Sequence, residues 1–205
     1  MSTWIHVDPS ADAASALAAA AEAVRRGALV IFPTETVYGI AARADDPAAL
    51  QALYAAKGRP PEKPCAYHIG DWEIFAQLAG PQPPDILALL RRSWPGPVTF
   101  LLRVKDETRG FRFPSHAIGQ QFLHLCGVPV FGTSANRSGA PSPCDAEATR
   151  EVAPYAAYVI DAGPTPLRGD STVVDLTQDP PVCVRRGVAP WPPADCSSPS
   201  SAAVK

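Results

Sequence analysis

The segment IFPTETVYGIAARADDPAALQALYAAKGRPPEKPCAYHI, residues 31–69, constrains this chain more than any other. An apolar strand runs straight into a Pro-Thr-Glu-Thr turn, and the helix that follows ends in Lys-Gly-Arg-Pro. Hydroxyls and cations are thus delivered at a strand end and at a helix end within one short unit. An α/β protein places a site for a small anionic ligand in such positions.

Length and composition decide what that unit can belong to. The chain has 205 residues, 46% of them apolar, enough for one α/β domain with a sizeable core and at most a tail. The formal net charge is −2, so no global field points to nucleic acid or an acidic membrane, and any anion site has to be local. The five cysteines, Cys65, Cys126, Cys144, Cys183 and Cys196, are odd in number and never at CxxC spacing. That argues against a disulfide framework or a structural zinc. The four histidines form no HExxH and no close pair, so the sequence offers no set of transition-metal ligands. No basic leader precedes an apolar run, and no stretch reaches the ~20 apolar residues of a membrane span. The expectation is a soluble, cytoplasmic protein with reduced thiols.

Turn and cap signals divide the chain. Ser10 or Asp12 can cap a helix reaching Arg26, with Gly27 as its stop. Asp46 and Pro47, at N-cap and N1, start a helix that ends near Lys57 at Gly58. Further helices are expected at 71–78, at 85–93, from Ser115 to about residue 125, and at 147–152. Strands are expected at 28–32, 65–69, 98–104, 111–113, 128–131, 158–160, 172–176 and 182–185. Strands and helices interleave, yet several strands follow one another with no helix between. This predicts an α/β fold with a mixed, twisted sheet flanked by helices, not a purely doubly wound one. Residues 1–188 read as a single domain, and residues 189–205, rich in Pro, Ser and Ala, as a disordered tail.

Six segments combine reactive polar groups with turn residues, and each also admits a plain structural explanation. Pro33-Thr34-Glu35-Thr36-Val37-Tyr38-Gly39 suits a carboxylate or amine, or simply caps a turn. Lys57-Gly58-Arg59-Pro60, followed by Lys63 and His68, fits a phosphate clamp or a solvated helix end. Between Thr108 and His116, Arg112 is flanked by Phe111 and Phe113. If the phenylalanines face the core, Arg112 faces a cleft or solvent. Gly132-Thr133-Ser134-Ala135-Asn136, with Ser142 beyond it, follows a strand as a phosphate-binding loop does, and such a run also makes ordinary turns. Gly169-Asp170-Ser171-Thr172 and Val184-Arg185-Arg186-Gly187 add a hydroxyl and a cation near strands. No GxxxxGK[ST], GxGxxG or GxSxG occurs, and Ser134 and Ser171 have no assignable His–Asp partners. The sum is rich in hydroxyls and cations and poor in nucleophiles. That suits a protein that positions a nucleoside triphosphate and a second anionic substrate while cations stabilise charge at phosphorus.

Taken in order, PTETVYG, KGRPPEKP, WPGPVTF, FRFPSH, TSANRSGAPS, DSTVVD and VRRG resemble the YrdC-like family of threonylcarbamoyl-AMP synthases, in its short, single-domain form. The resemblance spans residues 28–187. It implies a largely open, twisted α/β sheet with a concave, positively charged cavity. It also implies synthesis of threonylcarbamoyl-adenylate and pyrophosphate from L-threonine, bicarbonate and ATP, with Mg2+ arriving on ATP. The product would serve threonylcarbamoylation of tRNA, so tRNA or tRNA-modification proteins would act downstream. Carried over residue by residue, the resemblance places Thr36, His68, Arg112, Gly132 and Ser171 at L-threonine-binding positions. Lys57, Arg59, Lys63, Thr108, Ser134, Asn136, Ser142 and Arg185 fall at ATP-binding positions, with Lys57 and Arg59 as the catalytic cations. The chain departs from the family pattern at Arg109 and Gly110, before Arg112, and at Cys65 and Tyr67. Two rivals stay open: a related nucleotidyl- or carbamoyl-transfer enzyme acting on another amine, and a non-catalytic RNA-binding module. Near-neutral charge and the lack of an aromatic stacking motif count against the second.

Overall fold

A computed structural model describes residues 2–7, 14–60 and 64–192. Its strands are β1 (Thr3–His6), β2 (Leu29–Phe32), β3 (Gly39–Arg43), β4 (Ala66–His68), β5 (Val98–Val104), β6 (Glu107–Arg112), β7 (Val130–Ser134), β8 (Ala156–Asp161), β9 (Thr172–Asp175) and β10 (Val182–Arg185). They form one ten-stranded sheet in the order β1-β8-β2-β3-β7-β4-β6-β5-β9-β10. Four neighbouring pairs are parallel, β1/β8, β2/β8, β4/β6 and β5/β9, and the other five are antiparallel. The sheet is mixed, as the spacing of strands and helices predicts. The helices are α1 (Ala14–Arg25), α2 (Pro47–Lys57), α3 (Trp72–Ala79), α4 (Pro84–Ser93) and α5 (Ala117–Cys126). Among the described residues no helix is long and apolar enough to cross a membrane.

Local chemistry sets α2 most clearly. The Asp46 side chain accepts from the backbone N–H groups of Ala48 and Ala49, and Pro47 follows in the first turn. Gly58 closes the helix at φ 56°, ψ 37°, a left-handed conformation that costs glycine little. The expected caps of α1, Ser10 and Asp12, lie outside the described residues. Helix α5 is capped one residue later than expected, by the His116 side chain, which accepts from the Gly119 N–H, while the Ser115 N–H is given to Glu35. The helix expected at 147–152 is replaced by two 3-10 turns, Glu147–Thr149 and Ala153–Tyr155. Pro154 lies inside the second and cannot donate to a continuing helix.

Two strands were not legible. The sequence of β3, GIAAR, has little β-branched or aromatic content, and it becomes a strand because β2 and β7 pair with it on both sides. Strand β1 extends the sheet by pairing in parallel with β8. Strand β6 is longer than the expected 111–113, because β5 templates its polar first half in a hairpin. Ala189 and Trp191, assigned above to the tail, are packed against the core. Thr172 Oγ1 donates to Ala189 O at 2.6 Å, and the Trp191 ring lies 6.0 Å from that of Phe100. Residues 193–205 lie outside the described residues.

Alternation sorts the core. In β2, Val30 and Phe32 pack with Leu17 and Val24 of α1 and Phe122 of α5, while Leu29 and Ile31 pack with Ala49 and Leu53 of α2. The sheet there is covered on both faces. Across β4, β6, β5 and β9 the two faces differ. Tyr67, Phe111, Phe100 and Val174 are register partners in one row and pack toward Phe75 of α3 and Leu90 of α4. The next row, His68, Arg112, Thr99 and Val173, lines an open cavity. The functional candidates therefore lie where one sheet face lacks a covering helix.

Candidate active site

The cavity holds about 280 Å³, near the lower end of small-ligand pockets. Its floor is the row just described. Its walls are Thr34 and Val37 of the Pro-Thr-Glu-Thr turn, Arg59 beyond α2, Ser134 at the end of β7, Asp170 and Ser171 before β9, and Arg185 at the end of β10. Three guanidinium groups and one carboxylate thus face it.

One end is buried and fully organised. Arg112 is 5% exposed, and its Nη2 donates to Glu35 Oε1 at 2.9 Å and to Thr36 Oγ1 at 2.6 Å. Glu35, 4% exposed, spends Oε2 on the Ser115 N–H at 2.9 Å. Thr34 Oγ1 donates to Val37 O at 2.6 Å and lies 2.9 Å from Thr36 Oγ1. Its single hydrogen is taken, so the Thr36 hydroxyl donates to Thr34 and accepts from Arg112. Arg112 Nε is the one buried side-chain polar atom without a partner among the described residues. Burial pushes the Arg112 pKa down, and the facing Glu35 carboxylate opposes that shift. Arginine stays charged regardless.

His68 stands beside Arg112. Burial first, and the neighbouring guanidinium second, push its pKa down to about 3, so the ring is neutral. Its Nδ1 lies 3.3 Å from Ala66 O, which makes Nδ1 the donor and leaves Nε2 as an acceptor. Gly132 makes room for that ring. A Cβ there would sit 2.4 Å from His68 Nδ1, so Gly132 supports the site from behind.

The other end is cationic and open. Arg185 donates from Nε and Nη2 to Ser171 O at 3.1 and 2.9 Å, and from Nη2 to Ser171 Oγ at 3.0 Å. Ser171 Oγ also meets Thr99 Oγ1 at 3.0 Å. Arg59 Nη2 donates to Pro64 O at 3.0 Å. Asp170 Oδ1 accepts from Ser142 Oγ at 2.9 Å.

Lys57 is placed differently from Arg59. It is 2% exposed and lies beneath the loop after β7, not on the cavity wall. Its ammonium donates to Ser134 O, to Asn136 O at 2.6 Å, and more distantly to Asn136 Oδ1 at 3.5 Å. Burial, with Arg59 second, pushes its pKa down to about 8. Asn136 Nδ2 in turn donates to Ala140 O and Arg137 O, closing the loop on itself.

Of the residues singled out from sequence, Arg59, His68, Arg112, Ser134, Ser171 and Arg185 line one cavity. Thr36, Gly132, Lys57, Asn136 and Ser142 stand behind it, each in contact with a lining residue or its loop. Thr108 is exposed on β6, opposite Arg103, on the cavity face of the strand and two residues beyond the lining Gly110. Lys63 lies outside the described residues. Sequence reasoning gave no role to Glu35, Thr99 or Asp170. Thr99 did carry a signal, as a polar residue among the first apolar residues of β5. The departures Cys65 and Gly110 also line the cavity, and Tyr67 turns away from it into the aromatic row.

The Sua5_yciO_yrdC family model, described as "Telomere recombination", matches residues 22–187. The threonylcarbamoyl-AMP synthase of Bacillus subtilis is 37% identical over 183 residues, covering 83% of this chain and 53% of that protein. The threonylcarbamoyl-AMP synthase of Pyrococcus abyssi is 39% identical over 182 residues, covering 83% of this chain and 54% of that protein. The chain thus spans about half the length of these relatives. The crystal structure of P. abyssi Sua5 complexed with L-threonine superposes with a TM-score of 0.83 at 36% identity, covering 91% of this chain and 58% of that one.

Proposed function

The chain belongs to the Sua5/YciO/YrdC family, and from that premise we propose that it is a threonylcarbamoyl-AMP synthase. It would convert L-threonine, bicarbonate and ATP into threonylcarbamoyl-adenylate and pyrophosphate, as a nucleotidyltransferase supplying tRNA N6-threonylcarbamoyladenosine modification. The observation that carries the reading is Arg112, a buried guanidinium on the cavity floor with an unpartnered Nε. A carboxylate seated on the guanidinium would form a charge-assisted pair. Neutral His68 beside it offers an acceptor for an amine or a hydroxyl. The L-threonine bound in the P. abyssi structure supports the same choice of ligand.

The chemistry divides along the cavity. The threonine amine adds to bicarbonate and loses water to give a carbamate. A carbamate oxygen then attacks the α-phosphorus of ATP, and the oxygen–phosphorus bond to pyrophosphate breaks. Arg59 and Arg185 offset charge on the phosphates, Ser134 positions them, and Ser171 beside Thr99 stays on the amino-acid side. Lys57, with Asn136, holds the Ser134 loop in place from below, and Ser142 orients Asp170. Mg2+ enters with ATP as part of the substrate. Among the described residues no group of three His, Cys, Asp or Glu side chains is placed to hold a metal.

Incubation with ATP, bicarbonate, Mg2+ and L-threonine, read by mass spectrometry, tests this. Threonylcarbamoyl-adenylate is expected only with all components present. A folded protein that yields none overturns the reading, and a panel of amino acids in the same assay shows whether another amine is preferred.

A further inference from the structure

We propose that Glu35 is a positioning residue for the amino-acid half-site. Its carboxylate fixes the rotamer of Arg112, so that the guanidinium meets an incoming carboxylate already aimed. The proposal rests on the threonine reading above and deepens it.

Both Glu35 oxygens are committed. Oε1 takes Arg112 Nη2 and Oε2 takes the Ser115 N–H, each at 2.9 Å. One side chain therefore ties together three pieces of backbone: its own turn after β2, the end of β6, and the entry to α5. Each Glu35 oxygen thus holds one hydrogen of the site, Arg112 on one side and the entry to α5 on the other.

The second anchor on Arg112 Nη2 is the Thr36 hydroxyl. Its hydrogen goes to Thr34 and one of its lone pairs takes Arg112, so it too holds the guanidinium. Glu35 and Thr36 bind one terminal nitrogen and leave Nε unpartnered. A long, rotatable side chain is thus held by one nitrogen before any ligand arrives, and the rotamer entropy is lost on folding rather than on binding.

The charge matters as well as the contact. A buried arginine beside an uncharged partner loses the Coulomb interaction that offsets its desolvation, so it would seek other acceptors. Glu35→Gln keeps the size and one acceptor, removes the charge, and replaces one oxygen by a donor that cannot receive the Ser115 N–H.

The test is a calorimetric titration of the full chain with L-threonine, and separately with a non-hydrolysable ATP analogue. In Glu35→Gln, threonine affinity is expected to fall about tenfold or more while analogue affinity stays within about twofold, the size expected for a charged hydrogen bond acting on one ligand. A merely structural role would weaken both ligands together and would follow the melting temperature. Equal losses for the two ligands, or unchanged threonine binding, overturn the proposal. If Glu35→Gln does not fold, Glu35→Asp is read by the same split, since it keeps the charge and withdraws it by one methylene. Wild-type protein that binds no threonine overturns the functional reading itself. Wild-type binding that Glu35→Gln leaves intact overturns only the role of Glu35.

Discussion

The two ends of the cavity hold their cations in opposite ways. Arg112 is buried, locked on Glu35 and Thr36, and accompanied by a histidine that burial keeps neutral. Arg185 stands on an exposed edge strand and is held by a serine carbonyl and hydroxyl. The first arrangement suits a small ligand recognised by shape and by a few fixed bonds. The second suits a polyanion, which needs charge more than exact placement and tolerates water around it. The contrast follows from the sheet: Arg112 sits mid-sheet beneath the turn after β2, and Arg185 on the last strand.

Removing the buried cation should have the largest effect. Arg112→Met leaves Glu35 charged and unpaired inside the protein, and urea unfolding should show a loss of about 3–5 kcal/mol. Adding Glu35→Met to the same chain should restore most of that stability without restoring threonine binding. A double variant as unstable as the single one would mean that the ion pair is not what Arg112 contributes to the fold.

Gly132→Ala comes next. Its new Cβ would fall 2.4 Å from His68 Nδ1, so the ring or the strand has to move. Overpacking of this kind costs about 1–3 kcal/mol, and threonine affinity should fall with nucleotide affinity little changed. His68 also gives this end an acid signature. Its pKa falls from 6.5 in the unfolded chain to about 3 in the fold, so the unfolded state binds more protons between those values. Stability contributed by the neutral ring is therefore present above pH 6.5 and is lost as pH falls toward 3. His68→Asn, compared with wild type in urea melts from pH 7 down to 4, should flatten that part of the profile.

The sheet, the helices and most of the cavity were legible because they rest on local signals: apolar runs, caps, and glycines at helix ends. Helix α2 was read to its last residue from Asp46, Pro47 and Gly58. Strand β3 was not, since its five residues become a strand only through two neighbours distant in sequence or across a turn. The same divide runs through the site. Arg112 could be placed on the face opposite Phe111 by alternation alone. That Thr36 supports Arg112, and that Glu35 pairs with it, depends on contacts 76 and 77 residues apart. Lys57 shows the limit most plainly. A lysine at a helix end next to Gly-Arg-Pro reads as a solvent-facing cation, and only the loop after β7 closing over it turns it inward.

At the open end the expected effects are smaller on the fold and fall mainly on one ligand. Arg185→Ala and Arg59→Ala should each change stability by no more than about 0.5 kcal/mol, as surface substitutions do. Each should weaken ATP binding about tenfold, the scale of a charged hydrogen bond, and Arg59→Ala should leave threonine binding alone. The salt dependence of ATP affinity should flatten in both variants, because the lost interaction is the screened one. Threonine affinity in wild type should vary less with salt, and a steeper response for threonine than for ATP would erase the distinction between the two ends.

Lys57 belongs to neither arrangement, and its effect shows only at alkaline pH. It is as buried as Arg112 but has no carboxylate partner among the described residues; its ammonium is satisfied by carbonyl oxygens of the loop. Burial lowers its pKa from 10.5 to about 8, so between those values the unfolded chain binds the extra proton and the folded one does not. Stability should therefore rise with pH across that window, by at most about 1.4 kcal/mol per pH unit. Below pH 8 both states are protonated and the contribution is flat. The neutral amine has one fewer hydrogen to give, so the Ser134 loop should loosen as the fold gains stability. Urea melts of wild type and Lys57→Met from pH 7.5 to 10, with ATP-analogue affinity measured alongside, separate the two trends. Wild type should gain stability over the variant while losing nucleotide affinity. Parallel profiles would mean that Lys57 keeps its proton throughout and that the loop is held by backbone contacts such as Ser138 N–H to Lys57 O.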